Sequence, residues 1–340
     1  MSWKWTSETL ENLKKFLAER GLAGGGEIQP VRIGDGHSNL TYRLDGAAEP
    51  MVLRRPPPPP TPPGSHDVLR EARILAALAD TGVPVPKVFA TAREGEVLDV
   101  PFYIMAFVDG EIITTDMPDG FTSPAVAEAM GFEQIDVVAR LHGVDWKGVG
   151  LGDLGRPEGF NARHLKRISS LVRDGEGALL APFAPLHDWL SANCPAESGA
   201  ALIHNDCRIG NVVWSRNGEG KSGAPKIIAM LDWELATIGD PLFDLAYVIT
   251  SLPRDGIARQ PIQDLATACL TDGFPDAARL AKHYAEKTGA SLDNLSWYLA
   301  MQNWKLAVLY AYSRSKGEDP YFNDPSQVPR FLEEAAFHAS

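Results

Sequence analysis

Cysteine is scarce in this chain: the 340 residues include only Cys194, Cys207 and Cys269. Their number is odd and no two of them form a CxxC pair. The sequence therefore offers neither a disulfide framework nor a structural zinc site, and it favours a reducing compartment. Positive charge is also in the minority, because 32 Lys and Arg residues against 44 Asp and Glu residues leave a net charge of −12 at pH 7. This acidic balance argues against nucleic-acid binding as the main function.

Long apolar runs are missing as well. No segment approaches the ~20 consecutive apolar residues that span a bilayer. The first residues, MSWKWTSETLENLKKFLAERG, contain no signal-peptide core, and their apolar spacing predicts an amphipathic helix that packs on the body of the protein. We therefore expect no membrane partner and a cytoplasmic location.

Strand-like runs dominate the first third of the chain. Five short runs separated by turn signals predict an antiparallel sheet, and the segment 66–82 has helical spacing. The runs are 28–33, 40–44, 51–55, VPVPKVFAT and PFYIMAFVDG. From about residue 110 the pattern is mainly helical, with one strand-rich insert at 200–234. The sequence thus predicts an α+β fold with two lobes, residues 1–108 and 109–340.

Two acids follow strand-like runs inside that insert. Asp206 comes after ALIHN, Asn211 lies five residues later, and Asp232 comes after IIAML. A hairpin through this region could bring the three side chains to one end of a small sheet. Mg²⁺ prefers oxygen ligands of this kind, and phosphoryl transfer needs metal ligands together with a base that orients a hydroxyl. The alternative is that these residues cap turns and end strands.

The next helix begins at GDPLFDLAYVITSL. Asp240 is the predicted N-cap and Pro241 the first helical residue. Asp244, in the first turn, has two interpretations that the sequence leaves open. It either supports the Asp206 loop or interacts with the positive end of the helix dipole.

Three motifs carry a resemblance to a known family. They are HxDxxxxN from His204 to Asn211, Asp232-Trp-Glu, and GDPxxDLA from Gly239 onward. The chain resembles the aminoglycoside phosphotransferase family over about residues 28–315. The fold of that family is similar to that of protein kinases and choline kinases.

The resemblance implies a small antiparallel-sheet N-lobe (1–108) that binds nucleotide and a mainly helical C-lobe (109–340) that binds substrate. It further implies ATP and Mg²⁺ as cofactors. Asp206 would be the catalytic base, His204 would hold the catalytic loop, and Asn211 and Asp232 would be the metal ligands.

In the N-lobe, IGDGHSNLTYRL matches the hairpin loop that covers the nucleotide phosphates. The resemblance implies that Gly34, Gly36, Ser38 and Asn39 lie near phosphate, with backbone amides as the contacts. The loop has no third glycine, and an ordinary surface hairpin turn is equally compatible with it.

The strand MVLRR has Arg54 where the family has a phosphate-binding lysine, and Glu71 matches the helix glutamate that pairs with this cation. PFYIMAFVDG resembles the kinase hinge. Met105 would lie at the back of the adenine slot, and the backbone groups of Ala106 and Val108 would face the adenine edge. An ordinary buried strand has the same composition.

Several segments, among them VLRRPPPPP and GLGDLGRPEGF, resemble one branch of the family, the kinase-like domains associated with acyl-CoA dehydrogenases. This implies a small-molecule acceptor such as a hydroxyacyl-CoA or a related anionic substrate, and a link to acyl-CoA metabolism. The cations of 156–173 suit such an acceptor better than a polycationic antibiotic, unless they form a solvated helix face. An aminoglycoside or amino-alcohol kinase remains an alternative. A nucleotide-binding pseudokinase and a metal-dependent hydrolase are alternatives of other classes.

Overall fold

The computed structural model describes residues 5–34, 39–58, 66–216, 218, 223–317 and 320–340. The chain forms two compact units. The first contains the residues up to Gly110 and also Ile228–Glu234, and the second contains Glu111–Ile227 and Leu235–Ser340. Residues 228–234, which the sequence assigned to the second domain, thus belong to the first unit. One reason is the hydrogen bond from the Met230 amide to the Pro84 carbonyl, at 2.8 Å.

Five antiparallel strands form the sheet of the first unit, in the order β1-β2-β3-β5-β4. The strands are β1 (Gln29–Arg32), β2 (Leu40–Asp45), β3 (Met51–Arg55), β4 (Val88–Ala92) and β5 (Phe102–Ala106). The central strand β3 sets Leu53 between Tyr42 of β2 and Ile104 of β5. The predicted five-stranded antiparallel sheet is confirmed.

Two helices complete the first unit, α1 (Ser7–Ala18) and α2 (Val68–Leu78). The Thr6 side chain caps α1, and Phe16 of this helix packs edge-on against Phe102 of the sheet, with ring centres 5.5 Å apart. Asp67 caps α2 by accepting the amide of Arg70. The cap fixes the start of a helix whose buried face carries Glu71.

Helices make up most of the second unit. They are α3 (Pro124–His142), α4 (Phe160–Ser169), α5 (Ala184–Ala192), α6 (Leu242–Ser251), α7 (Pro261–Asp264), α8 (Ala277–Thr288), α9 (Leu295–Lys316) and α10 (Gln327–His338). The long helix α9 is the core element: its apolar side chains are buried, and the indole N–H groups of Trp297 and Trp304 donate to the carbonyls of Leu190 and Phe183. In the described part of the chain, no helix is long and apolar enough to cross a membrane.

The strand-rich insert contains β6 (Ala201–Ile203), β7 (Val212–Trp214) and β8 (Ile227–Met230), and β9 (Thr237–Gly239) follows it. The strand before Asp206, β6, pairs antiparallel with β9. The strands on either side of the segment 215–225, β7 and β8, form a second two-stranded sheet, so the hairpin predicted through this segment is present, whereas β6 belongs to a separate pair with β9. Gly239 makes this pairing possible, since a Cβ atom there would lie 2.6 Å from the Phe160 ring.

Candidate active site

One buried carboxylate holds the loop that carries Asp206. It belongs to Asp244, in the first turn of α6. Its Oδ2 accepts the backbone N–H of His204 at 2.7 Å, and its Oδ1 accepts the N–H of Asn205 at 2.7 Å. Asp244 is fully buried, so both bonds are shielded from water. Of the two interpretations that the sequence left open, these bonds favour support of the loop.

Two further side chains hold Asp244 in place. His142, at the end of α3, contacts its Oδ2 through Nε2 at 3.1 Å and the Tyr284 hydroxyl through Nδ1 at 2.7 Å. Burial would raise the pKa of the Asp244 carboxyl, but the hydrogen bond and charge of His142 keep this pKa below its usual value. Asp244 is therefore ionised at neutral pH, and the ionised form is the one that accepts these N–H groups.

The backbone on the N-terminal side of Asp206 is fixed by side chains of the loop itself. The ring of His204 is fully buried, and its Nδ1 accepts the Asp206 N–H at 3.2 Å. Asn205 has a φ of +65°, in the left-handed region that asparagine tolerates better than most residues, and its Nδ2 donates to the Leu235 carbonyl at 2.9 Å. The loop therefore presents Asp206 in one conformation.

The Asp206 side chain is only 19% exposed. The Arg208 Nε lies 3.8 Å from its Oδ1. Tyr247 hydrogen-bonds to the same carboxylate, and burial together with this charge raises the pKa of the Tyr247 phenol well above its usual value.

Asn211 ends a short 3-10 turn, and its Nδ2 donates to the Asp206 carbonyl at 2.8 Å. This bond leaves the Asn211 Oδ1 as the atom that can bind a cation.

The first unit contains a second polar cluster, centred on Glu71. This carboxylate is 1% exposed. Its Oε1 accepts the Asn39 Nδ2 at 2.6 Å, and its Oε2 accepts the Arg54 Nε at 2.9 Å and the Tyr103 hydroxyl at 3.2 Å. Asn39, predicted to lie near phosphate, thus contributes its side chain to this cluster.

Arg54 bridges two acids. Besides the bond to Glu71, its Nη2 donates to the Asp232 Oδ1 at 2.6 Å. Burial would lower the pKa of the guanidinium, but Glu71 and Asp232 raise it above its usual value. Asp232 has a φ of +67°. Residues other than glycine rarely adopt this left-handed conformation, and it often occurs at functional sites.

Burial also acts on Glu71 itself. It raises the pKa of this carboxyl to about 7, and the neighbouring charges of Asp232 and Glu234 act in the same direction, whereas Arg54 opposes the rise. The cluster therefore holds three acids around one arginine, and a proton or a cation can enter it near neutral pH.

The remaining predicted nucleotide residues belong to the first unit. Gly34 follows β1 with a φ of +71°, whereas Gly36 and Ser38 lie outside the described residues. Met105 is buried in β5. The Ala106 N–H donates to the Lys87 carbonyl at 2.8 Å, so Ala106 could offer adenine only its carbonyl. Val108 is half-buried after the strand.

The three motifs of the sequence therefore all lie in these two polar clusters or directly support them. Residues 30–283 match the family model described as the phosphotransferase enzyme family. The chain belongs to the phosphotransferase enzyme family. As a member, it is a small-molecule phosphotransferase that acts on a hydroxyl group.

Individual relatives agree with the assignment to this family. Acyl-CoA dehydrogenase family member 10 of Mus musculus is 29% identical over 311 residues, which are 89% of this chain but 28% of the mouse protein. A candidate aminoglycoside phosphotransferase from Ralstonia eutropha is 28% identical, with a TM-score of 0.75 over 97% of this chain and 95% of that one. The GDP and kanamycin complex of APH(2″)-IIIa is 17% identical and shares the fold, with a TM-score of 0.63 over 96% of this chain and 99% of that one.

These findings confirm the predicted relationship and the predicted α+β, protein-kinase-like fold. They also confirm the resemblance to relatives named as acyl-CoA dehydrogenase family members. The phosphotransferase of known structure and the mouse protein each match nearly the whole of this chain, so the family extends over both units.

Each unit contains one oxygen-bearing side chain of the kind that Mg²⁺ prefers, Asp232 in the first unit and Asn211 in the second. The Asn211 Oδ1 is left available by the bond of its Nδ2, and Asp232 uses its Oδ1 for Arg54. The described ranges contain no group of three or more His, Cys, Asp or Glu side chains that could hold a metal ion alone. A magnesium ion in this family member would therefore depend on nucleotide phosphates and water for its other ligands.

Sequence reasoning missed several residues of both clusters. Tyr103 and His142 gave no signal, because each is an ordinary residue of its strand or helix and lies 32 and 102 positions, respectively, from its acidic partner. Glu234 could have been found, since it belongs to the Asp232-Trp-Glu motif. Lys305 could also have been found, because it is a single charge inside an apolar stretch of α9.

Proposed function

We propose that this phosphotransferase moves the γ-phosphate of ATP, with Mg²⁺, to a hydroxyl of a small acceptor such as a hydroxyacyl-CoA or a related anionic alcohol. The observation that carries the proposal is the loop of Asp206, whose amides are fixed by Asp244 and by the His204 ring. A fixed carboxylate that keeps partial exposure suits a base that must orient an alcohol.

In the proposed reaction, the Asp206 carboxylate accepts the hydrogen bond of the acceptor hydroxyl and takes its proton. The acceptor oxygen forms a bond to the γ-phosphorus while the bond from that phosphorus to the β-bridging oxygen breaks and ADP leaves. Arg54 offsets charge on the phosphates, as an arginine can through paired N–H groups. Asn211 and Asp232 would hold Mg²⁺, which would neutralise charge on the phosphate oxygens.

The choice of nucleotide base is part of the proposal. ATP is proposed from the resemblance of β5 to the adenine hinge, and the Ala106 carbonyl would be one of the groups that contact the base. The complex of APH(2″)-IIIa contains GDP, so the guanine nucleotide is the comparison to make. Titrating Mg·ATP and Mg·GTP separately decides between them.

Two observations bear on the proposed anionic acceptor, and one supports it more strongly than the other. The name of the mouse relative supports a link to acyl-CoA metabolism, although the chain corresponds to only 28% of that protein. The cations of 156–173 give less support than the sequence suggested. Arg163 donates to the carbonyls of Arg156 and Glu158, and Arg173 donates to that of Gly177. Two of the five cations in that run are therefore engaged in local surface bonds.

A second candidate is a nucleotide-binding pseudokinase. The observation that favours it is the 2.6 Å contact of Arg54 with Asp232, because the guanidinium already occupies an oxygen that a metal would use. Under this alternative, nucleotide binds but no acceptor is phosphorylated.

The test combines calorimetry and turnover. Mg·ATP should bind the wild-type protein, and ADP release should depend on one member of a panel of hydroxyacyl-CoAs, aminoglycosides and amino alcohols. Asp206→Asn should lower that turnover roughly 10²- to 10⁴-fold while nucleotide binding persists. The matched control is Asp188→Asn, at a side chain that is 82% exposed on α5.

Full turnover in Asp206→Asn would refute the role of this base. Nucleotide binding without phosphate transfer to any acceptor would favour the pseudokinase. Absence of any Mg·nucleotide binding would end both proposals.

A further inference from the structure

Lys305 is a charged residue in the middle of an apolar helix. It belongs to the run WKLAVL of α9, and only 5% of it is exposed. Its ammonium lies 5.2 Å from the centre of the Tyr247 ring. Among the described residues Lys305 has no hydrogen bond or ion pair beyond this aromatic contact. A lysine whose side chain is almost wholly removed from water loses hydration of its charge, and no carboxylate in the described ranges hydrogen-bonds to it in return.

Tyr247 connects Lys305 to the proposed base. The Tyr247 ring lies against the lysine ammonium, and its hydroxyl hydrogen-bonds to Asp206. Asp206 and Asp244 both attract the ammonium, which places Lys305 within electrostatic range of both carboxylates. The lysine is therefore a neighbour of the atom that would take the acceptor proton.

Other cations lie in the same part of the second unit. Arg208 is 3.8 Å from Asp206, and Arg167 of α4 lies near enough to repel the Lys305 ammonium. The Arg167 Nη2 donates to the Nδ1 of the buried His164 ring at 3.2 Å, while the His164 Nε2 is enclosed without a hydrogen-bond partner. Lys305 therefore lies near two further cationic side chains, and the His164 Nε2 close to it is a buried polar atom without a hydrogen-bond partner in the described chain.

We propose that Lys305 is a specificity-determining residue of the acceptor site, whose ammonium selects alcohols that carry a carboxylate or another anionic group over alcohols that carry a cation. The proposal rests on the proposed function, because it takes Asp206 as the base beside which the acceptor binds. It goes further by assigning the charge of the acceptor to one side chain.

The physical reason is the balance of buried charge. An anionic acceptor would give the ammonium the partner it lacks, through a charge-assisted hydrogen bond. An amino alcohol would instead bring a second cation next to a desolvated one, and like charges in a weakly screened site repel strongly. The same lysine therefore attracts one class of acceptor and rejects the other.

The pKa of the Lys305 ammonium sets the pH range over which anionic acceptors are preferred. Desolvation lowers the pKa of the Lys305 ammonium from 10.5 to about 8, although Asp206 and Asp244 oppose this change. The charged or titratable groups that face it are His164 and Arg167 of α4, Asp244 and Tyr247 of α6, and Asp206 and Cys207 of the loop. The ammonium is charged below about pH 8 and neutral above it, so the preference for an anion is present at neutral pH and lost as pH rises through that value.

The experiment compares three alcohols of equal length: γ-hydroxybutyrate, its neutral diol analogue and its amino-alcohol analogue. Phosphate transfer from Mg·ATP is followed by ADP release, and kcat/KM is measured for each. The wild-type protein should prefer the anion to the diol and the diol to the amine. Lys305→Met, which keeps length and apolar volume, should lower the ratio of anion to diol by roughly 10- to 100-fold.

Lys282→Met is the matched control, because this lysine of α8 has a side chain that is 79% exposed. It should leave all three values unchanged. The pH profile of the wild-type protein is a second measurement that needs no variant to fold. The ratio of kcat/KM for the anion to that for the diol should fall above about pH 8, and taking the ratio removes the titration of the base itself.

A ratio that is the same in Lys305→Met and in the wild type, or that is constant across this pH range, overturns the proposal. So does a wild-type protein that binds Mg·ATP yet prefers the amine or uses none of the three alcohols, and this outcome leaves the proposed function intact. Failure of the proposed function would be recognised separately, by the absence of Mg·nucleotide binding.

Discussion

The two polar clusters are built by different means. In the first unit, acids and Arg54 hold one another through side chains, with Glu71 and Asp232 on the same guanidinium. In the second unit, Asp244 holds the main chain itself, through the amides of His204 and Asn205. Ion pairs between side chains can be exchanged for bonds to a ligand, whereas bonds to the main chain determine the course of a loop. The first cluster is thus suited to rearrange when nucleotide binds, and the second to remain unchanged.

The largest effect is expected on stability, from removal of Asp244 in the cluster of the second unit. Asp244→Ala leaves two buried amides and His142 without their acceptor, so it should lower the free energy of unfolding by roughly 3–5 kcal/mol. Urea denaturation measures this. Asp206→Asn, by contrast, should change stability less, because asparagine keeps a side-chain oxygen that can accept the Tyr247 hydroxyl.

Asp188→Ala is the control for Asp244→Ala, because it removes an aspartate that is largely exposed. Equal stability of Asp244→Ala and Asp188→Ala would mean that the loop does not depend on the buried carboxylate.

A smaller effect, on the Mg²⁺ dependence of turnover, is expected from a substitution in the Glu71 cluster of the first unit. Lysine has one ammonium and cannot reproduce the paired N–H groups with which Arg54 holds Glu71 and Asp232 together. Arg54→Lys should therefore release Asp232 and lower the free Mg²⁺ concentration for half-maximal turnover by about 10-fold, a change of about 1.4 kcal/mol. Turnover measured against free Mg²⁺ at fixed nucleotide tests this.

Arg43→Lys is the matched substitution, since Arg43 forms a half-exposed ion pair with Asp45 in β2. It should leave the Mg²⁺ dependence unchanged. A higher Mg²⁺ requirement in Arg54→Lys would instead show that the arginine assists metal binding.

The smallest effect is a difference in the pH dependence of stability between the clusters. The pKa of Glu71 is raised from 4.5 to about 7, so its protonated form stabilises the fold at low pH, and this contribution is lost as pH rises from about 4.5 through 7. The pKa of Asp244 is lowered from 3.8, so its contribution is present above that value and lost as pH falls below it. Unfolding of Glu71→Gln across this range should lack the first slope and keep the second. An unchanged slope between pH 5 and 7 would contradict the assignment to Glu71.

The sequence predicted what depends on local pattern. Short strand-like runs separated by turn signals predicted the five strands, and the motif spacing singled out Asp206, Asn211 and Asp232. The residues that contact these side chains could not be predicted, because burial and strand pairing bring together segments that are far apart in sequence. His142 contacts Asp244 from 102 positions away, and β6 pairs with β9 although β7 and β8 lie between them in the sequence.

Arg54 is a case in which one partner was predicted and the other was not. The resemblance to the family implied that Arg54 stands where a lysine is usual and that Glu71 is the helix glutamate that pairs with this cation. The guanidinium also contacts Asp232, whose backbone is left-handed, and no periodicity in the sequence predicts either feature.

The bonds from Asp244 also set an order of events during synthesis. The amides they hold lie 39 and 40 residues earlier in the chain, so a ribosome that has released the HxD segment has not yet made the side chain that shapes it. His142 is already present by then, but Tyr284 emerges later still. A nascent or truncated polypeptide ending before α6 would contain the complete motif without its working conformation. Activity should therefore appear late in translation, as the last third of the molecule folds.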